Sequence, residues 1–159
     1  MWHSLRGRRG RARFDLKDTD MSVIVTDTGF QPDDWTHEIT PLPELAANDA
    51  GPVVAVDLAS DADPESLGER LADIDLIRID FPSFADGRGF TIARRLRLMG
   101  FVGRLRAKGH VIADQYAMAR RSGFDEVEID TNLARRQPED QWLRRADWSS
   151  HDYQSRLRA

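Results

Sequence analysis

The chain contains no cysteine among its 159 residues. That removes disulfides, thiol nucleophiles, thiolate zinc sites and cysteine-held iron–sulfur clusters together, so redox chemistry would need a borrowed cofactor. Long apolar runs are missing too: none approaches the roughly 20 residues that a membrane-spanning helix requires. Lysine is nearly absent, with two residues, Lys17 and Lys108, against 21 arginines. We read that imbalance mainly as composition bias, with a weak pull towards anions. The four histidines, at positions 3, 37, 110 and 151, show no H-x-x-x-H or comparable spacing, so no metal site is expected. A Gly-x-Ser-x-Gly nucleophile elbow, a P-loop and a complete Gly-x-Gly-x-x-Gly fingerprint are all lacking.

What is present suits one globular, cytoplasmic domain: 40% of residues are hydrophobic and 31% charged, a balance typical of chains that bury a core. The net charge of -4 hides two unlike parts. Residues 1–20 sum to +3 and the remainder to -7. The first stretch has no apolar segment of a secretory signal and is expected to be a disordered or mis-assigned basic extension, with a natural start at Met21. The domain is then expected over 21–155, with 156–159 as a tail. An arginine-rich arm suggests nucleic acid, but an acidic folded part argues against it.

Short apolar runs alternate with 3.6-residue stripes, the pattern of βα units. Strands are predicted at Val23-Ile-Val25, Pro52–Asp57, Leu76–Phe81, Phe101–Ala107 and Phe124–Ile129. Residues 31–51 read as loop anchored by Trp35. The strand at 101–107 alternates Phe101, Gly103 and Leu105 with Val102, Arg104 and Arg106, which predicts one polar face and an edge position. Helices are predicted after Asp63-Pro64-Glu65, which has a cap, a first-turn proline and an acid at the positive end, over residues 90–99, over 112–122 and after 129. Trp142, Trp148 and Tyr153 would anchor a terminal helix. Parallel strands with right-handed crossovers give an α/β fold, a single domain of consecutive βα units whose mostly parallel sheet is either open or a partial barrel.

In such folds function gathers at the carboxyl ends of the strands, which singles out Asp57, Asp80, Arg106 and Asp130 and the loops beyond them. Two loops stand out. Phe81-Pro-Ser-Phe-Ala-Asp-Gly-Arg-Gly-Phe90 offers Asp86, Gly87, Arg88 and Gly89 as an anion cradle if both glycines take positive φ and expose N–H groups; the alternative is a tight turn with Arg88 in solvent. Gly103–Gln115 brings Arg106, Lys108 and His110 to a strand-to-helix turn, with Asp114 and Gln115 following. These residues would bind an anion or a partner's acidic patch, or His110 with Asp114 or Asp80 would supply acid–base chemistry; the alternative leaves Asp114 at a helix start and His110 on the surface.

The ordered series Phe81-Pro-x-Phe-x-Asp-Gly-Arg-Gly-Phe90, Ala93-x-x-Leu-Arg97, Gly103-x-Leu-Arg-Ala107, Gly109, Asp114-Gln115 and Gly-Phe-Asp125 resembles an uncharacterised bacterial family whose members are described as probable oxidoreductases in sulfite reduction, commonly encoded beside assimilatory sulfite reductase. The resemblance spans about 21–155. Arg104 departs from it, replacing a frequent glutamate. What it implies is a place in sulfur assimilation. Without cysteine the chain cannot hold the cluster of a sulfite reductase, so the expectation is an accessory protein that binds a small anion, or sulfite reductase or its electron donor. The alternative is a small oxidoreductase using flavin or NAD(P)H.

Overall fold

A computed structural model describes residues 22–45 and 53–151. The proposed basic extension, the tail and Tyr153 lie outside the described residues.

Seven strands form one sheet in the order β2-β1-β7-β6-β5-β4-β3. They are β1 (Val23–Thr26), β2 (Gly29–Pro32), β3 (Thr40–Pro41), β4 (Ala55–Leu58), β5 (Leu76–Phe81), β6 (Arg104–Gly109) and β7 (Glu126–Ile129). From β3 to β7 all neighbours are parallel, while β1 runs antiparallel to β7 and forms a hairpin with β2. The sheet is open, ending at β2 and β3. β2 runs into the stretch predicted as loop and β3 lies within it; both are short and carry proline, which weakens any sequence signal for a strand.

The order of β4 to β7 explains the layering. Each strand lies beside its predecessor and every step goes the same way, so right-handed crossovers put all connections on one face. That face carries Val56, Ile77, Ile79, Leu105, Ala107 and Val127 in one apolar cluster with the helices. The helices are α1 (Arg88–Leu98), α2 (Tyr116–Ser122), α3 (Thr131–Arg136) and α4 (Glu139–Leu143). α1 contributes Phe90, Ala93 and Leu96, and α2 contributes Tyr116 and Ala119. Gly100 and Gly123 take positive φ directly after α1 and α2 and end them.

The segment opened by Asp63 is a 3-10 helix, Pro64–Asp73, broken at Gly68, where φ is 49°. Its predicted start stands: the Asp63 side chain accepts from the Glu65 N–H, and Pro64 follows the cap. Leu67 and Leu71 are buried as the spacing requires. α4 buries Trp142, whose indole N–H donates to the Gln137 carbonyl at 2.9 Å.

The largest departure from sequence expectation is β6. Its polar face predicted an edge, yet β6 is the central strand. Arg104 and Arg106 do face away from the helices, but they face carboxylates instead of solvent. Asp57, Arg78, Arg106 and Glu126 occupy one rung across β4, β5, β6 and β7. Carboxylates of β4 and β7 flank the two adjacent arginines and take the place of water, so the alternating pattern of a solvated edge appears inside the sheet.

Candidate functional site

The helix-free face is built from this charged rung. Arg78 makes two short bonds to Asp57, 2.6 Å from Nε and 2.7 Å from Nη2. Arg106 is fully buried and reaches Glu126 at 2.6 Å, Glu128 at 2.9 Å and Asp33 at 3.1 Å. Arg104 bonds Glu126 and the exposed Asp34. Asp33 and Asp34 belong to the segment after β2, which these arginines hold against the middle of the sheet. Burial works against the charge on Arg106, but Asp33 and Glu126 outweigh it, so its pKa is raised above the ordinary guanidinium value. The hydrogen bond from Arg104 holds the Asp34 carboxyl below its usual range despite partial burial. Trp35 sits over this corner, 5.9 Å from the Arg104 guanidinium carbon, its indole nitrogen buried without a hydrogen-bond partner among the described residues. Arg106 was expected at an accessible strand end. It is instead enclosed by carboxylates and has no free donor face for an anion, because three acids converge on it.

The cradle proposed at Asp86–Gly89 has a different construction. Gly87 has φ -94° and Gly89 lies inside α1, and neither adopts the positive φ that the cradle assumed. Gly89 is small for packing: a Cβ there would run into the Phe81 ring. Arg88 folds back on Asp86, with Nε to Oδ1 at 3.0 Å and Nη2 to Oδ2 at 2.7 Å, and Nη2 also donates to Ser60 Oγ at 2.9 Å. The side-chain bond from Arg88 holds the Asp86 carboxyl down at about 2. The loop is thus an Asp-turn closed by its own arginine.

His110 and Asp114 do not face each other. Asp114 is exposed and pairs with Arg145 at 2.7 Å beside α2. His110 lies beyond β6, its Nδ1 3.2 Å from the Phe81 carbonyl, which requires Nδ1–H as donor. Gln115 is a structural link, since its side-chain carbonyl accepts from the Ile112 N–H at 3.0 Å and its amide donates to the Phe84 carbonyl at 3.2 Å. It thereby ties the loop after β5 to the turn after β6. Asp80, exposed at the end of β5, is in register with Lys108. Asp130 caps α3 by accepting from the Leu133 N–H at 2.7 Å. Among the described residues no three His, Asp or Glu side chains are grouped as a metal would need, and no helix is long and apolar enough to cross a membrane.

A recess lies at the carboxyl edge. It has a volume of about 170 Å³ between the ends of β6 and β7, and its walls include Phe84, Lys108, His110, Glu128, Leu133 and Arg136. Gly109 lies in its wall with φ +113°, and a Cβ there would approach the Phe81 carbonyl oxygen to 2.7 Å, so only glycine lets β6 turn so closely over β5. The Phe84 and His110 rings meet edge to face at 5.0 Å. Lys108 and His110 were visible in the sequence as a cluster. Phe84, Glu128 and Arg136 come from three other segments, and only the parallel order of β5, β6 and β7 brings them together.

Residues 55–159 match a family described as "Bacterial protein of unknown function (DUF934)". No curated protein and no solved structure matches the chain.

Proposed function

We propose that this chain, which belongs to the bacterial family DUF934, is an accessory protein of assimilatory sulfite reduction that binds an anion or a redox partner at the carboxyl edge of its sheet and leaves sulfite reduction to the reductase. One observation carries the binding part of this reading. The arginines of the sheet interior, Arg78, Arg104 and Arg106, are all matched by carboxylates, whereas Lys108 and Arg136 at the edge have no ion pair or hydrogen bond among the described residues. Unmatched positive charge in a recess attracts an anion or a carboxylate-bearing partner. The pathway rests on the resemblance of Phe81–Phe90 and the motifs after it. The chain's lack of cysteine leaves it no thiolate with which to hold a cluster of its own.

The test is genetic. Deleting the gene should slow growth on sulfate as sole sulfur source and leave growth on cysteine unchanged; normal growth on sulfate would overturn the reading. A purified chain carrying flavin, or one that oxidises NAD(P)H, would replace the accessory role with that of a small oxidoreductase.

A further inference from the structure

We infer that the recess between β6 and β7 is a binding site for a small organic anion, a carboxylate or sulfonate with a short apolar body. The inference rests on the reading of this edge as the binding region, and it adds the class of ligand.

Charge sets the sign. Glu128 lies in the recess, but its Oε1 already accepts from Arg78 at 3.1 Å and Arg106 at 2.9 Å, and its Oε2 accepts from Ser22 at 3.1 Å. Both of its oxygens are thus engaged by donors of the sheet and of Ser22. Asp130 gives one oxygen to the start of α3. Lys108, in register with Asp80 on β5, and Arg136 have no ion pair or hydrogen bond among the described residues, so their donors are left for a ligand's anionic group. His110 adds a fixed polar edge, because its Nδ1–H is committed to the Phe81 carbonyl and Nε2 is left to a ligand or water.

Size and wall chemistry narrow the class. About 170 Å³ is well below the roughly 300 Å³ at which sites for drug-sized ligands begin. A recess of this size takes a small head group and does not enclose a whole nucleotide or flavin. The lining has an apolar part as well: Phe84, 40% exposed, Ile129 and Leu133 line the same recess. A bare sulfate or phosphate seeks donors on every side and gains nothing from such a wall. An anion with an alkyl end places its charge on Lys108 and Arg136 and its carbons against Phe84.

The test uses the full chain, titrated by NMR with ethanesulfonate, propionate, sulfate and phosphate. Saturable shifts at Gly109, His110 and Leu133 are expected with ethanesulfonate or propionate, at least fivefold tighter than with sulfate or phosphate; the stronger of the two organic anions identifies the head group. Lys108→Met or Arg136→Met should weaken binding at least tenfold. Arg94→Met, on the exposed side of α1, should change it less than twofold. Phe84→Ala should erase the preference for the organic anions. Binding of sulfate or phosphate as tight as that of the organic anions, absence of saturation, or binding indifferent to Lys108 and Arg136 would overturn the inference. Growth on sulfate is scored separately, so a missing ligand with an intact deletion phenotype sinks the site alone.

Discussion

Arg78 and Arg106 stand in register on β5 and β6 and direct one guanidinium nitrogen each at the same atom, Oε1 of Glu128, at 3.1 and 2.9 Å. Two like charges side by side on adjacent strands repel; the shared carboxylate, with Asp57 beyond Arg78 and Glu126 beyond Arg106, turns the repulsion into a continuous row. Glu128 is 4% exposed, so water cannot substitute for it.

Glu128→Gln should therefore cost about 3–5 kcal/mol, the range for removing one partner from a buried ion pair. Urea unfolding measures it. Asp140→Asn, which breaks the exposed pair with Arg144, should change stability by less than about 0.5 kcal/mol. Equal effects from the two changes would mean that the row is not a buried network.

The two glycines of the Asp86–Gly89 turn should behave oppositely. Gly89→Ala drives a methyl into the Phe81 ring and should destabilise by about 1–3 kcal/mol. Gly87 has an ordinary φ and nothing nearer than 3.7 Å, at Phe90, so Gly87→Ala should be neutral or slightly stabilising. Thermal melts of both variants check this, and an anion cradle built on Gly87 would give the reverse order.

Arg88→Ala should release the carboxyl of Asp86. The group is held at about 2 by its hydrogen bonds from Arg88, so in the variant its titration should move up towards the ordinary carboxyl value of 3.8. Carbon NMR of the Asp86 side chain reads this directly. A midpoint that stays near 2 would show that the surrounding turn, and not Arg88, sets it.

Asp27 joins the β1–β2 turn to α2 and the C-terminal segment. Burial raises its pKa, but hydrogen bonds from Tyr116, Trp148 and Arg120 outweigh burial and leave it below the ordinary value. The Tyr116 hydroxyl is buried and bonds Asp27 at 2.6 Å. A carboxyl with a depressed folded pKa contributes stability above its unfolded value, about 3.9, and loses that contribution as pH falls through the lowered folded value. Tyr116→Phe should remove about 1 kcal/mol at pH 7 and make the loss of stability below about pH 4 shallower. An acid limb identical to that of the parent chain would rule out this clasp.

The βα alternation was legible because apolar runs such as Leu76–Phe81 sit between stripes such as Ile92 and Leu96, and both kinds of period survive in the fold. The position of β6 was not legible, since polar alternation reads the same whether the polar face meets water or another strand's charges. A signal was nevertheless present: Asp57, Arg78, Arg106 and Glu126 each alternate with apolar neighbours in four successive strands. At the site, Lys108 and His110 are close in sequence and were seen as a cluster. Phe84 and Arg136 are separated from them by an intervening strand or helix, and chain separation hides such partners. The glycines at 87 and 89 misled because Gly-x-Gly looks the same whether it bares N–H groups or makes room for an aromatic ring.

The central claim is that the unmatched cations at the carboxyl edge serve sulfite assimilation. Complementation of a deletion strain by the Lys108→Met, Arg136→Met double variant tests it most directly, with protein level checked by immunoblot. We expect the parent gene to restore growth on sulfate and the double variant to fail at equal abundance, both strains growing on cysteine. Full restoration by the double variant would contradict the claim.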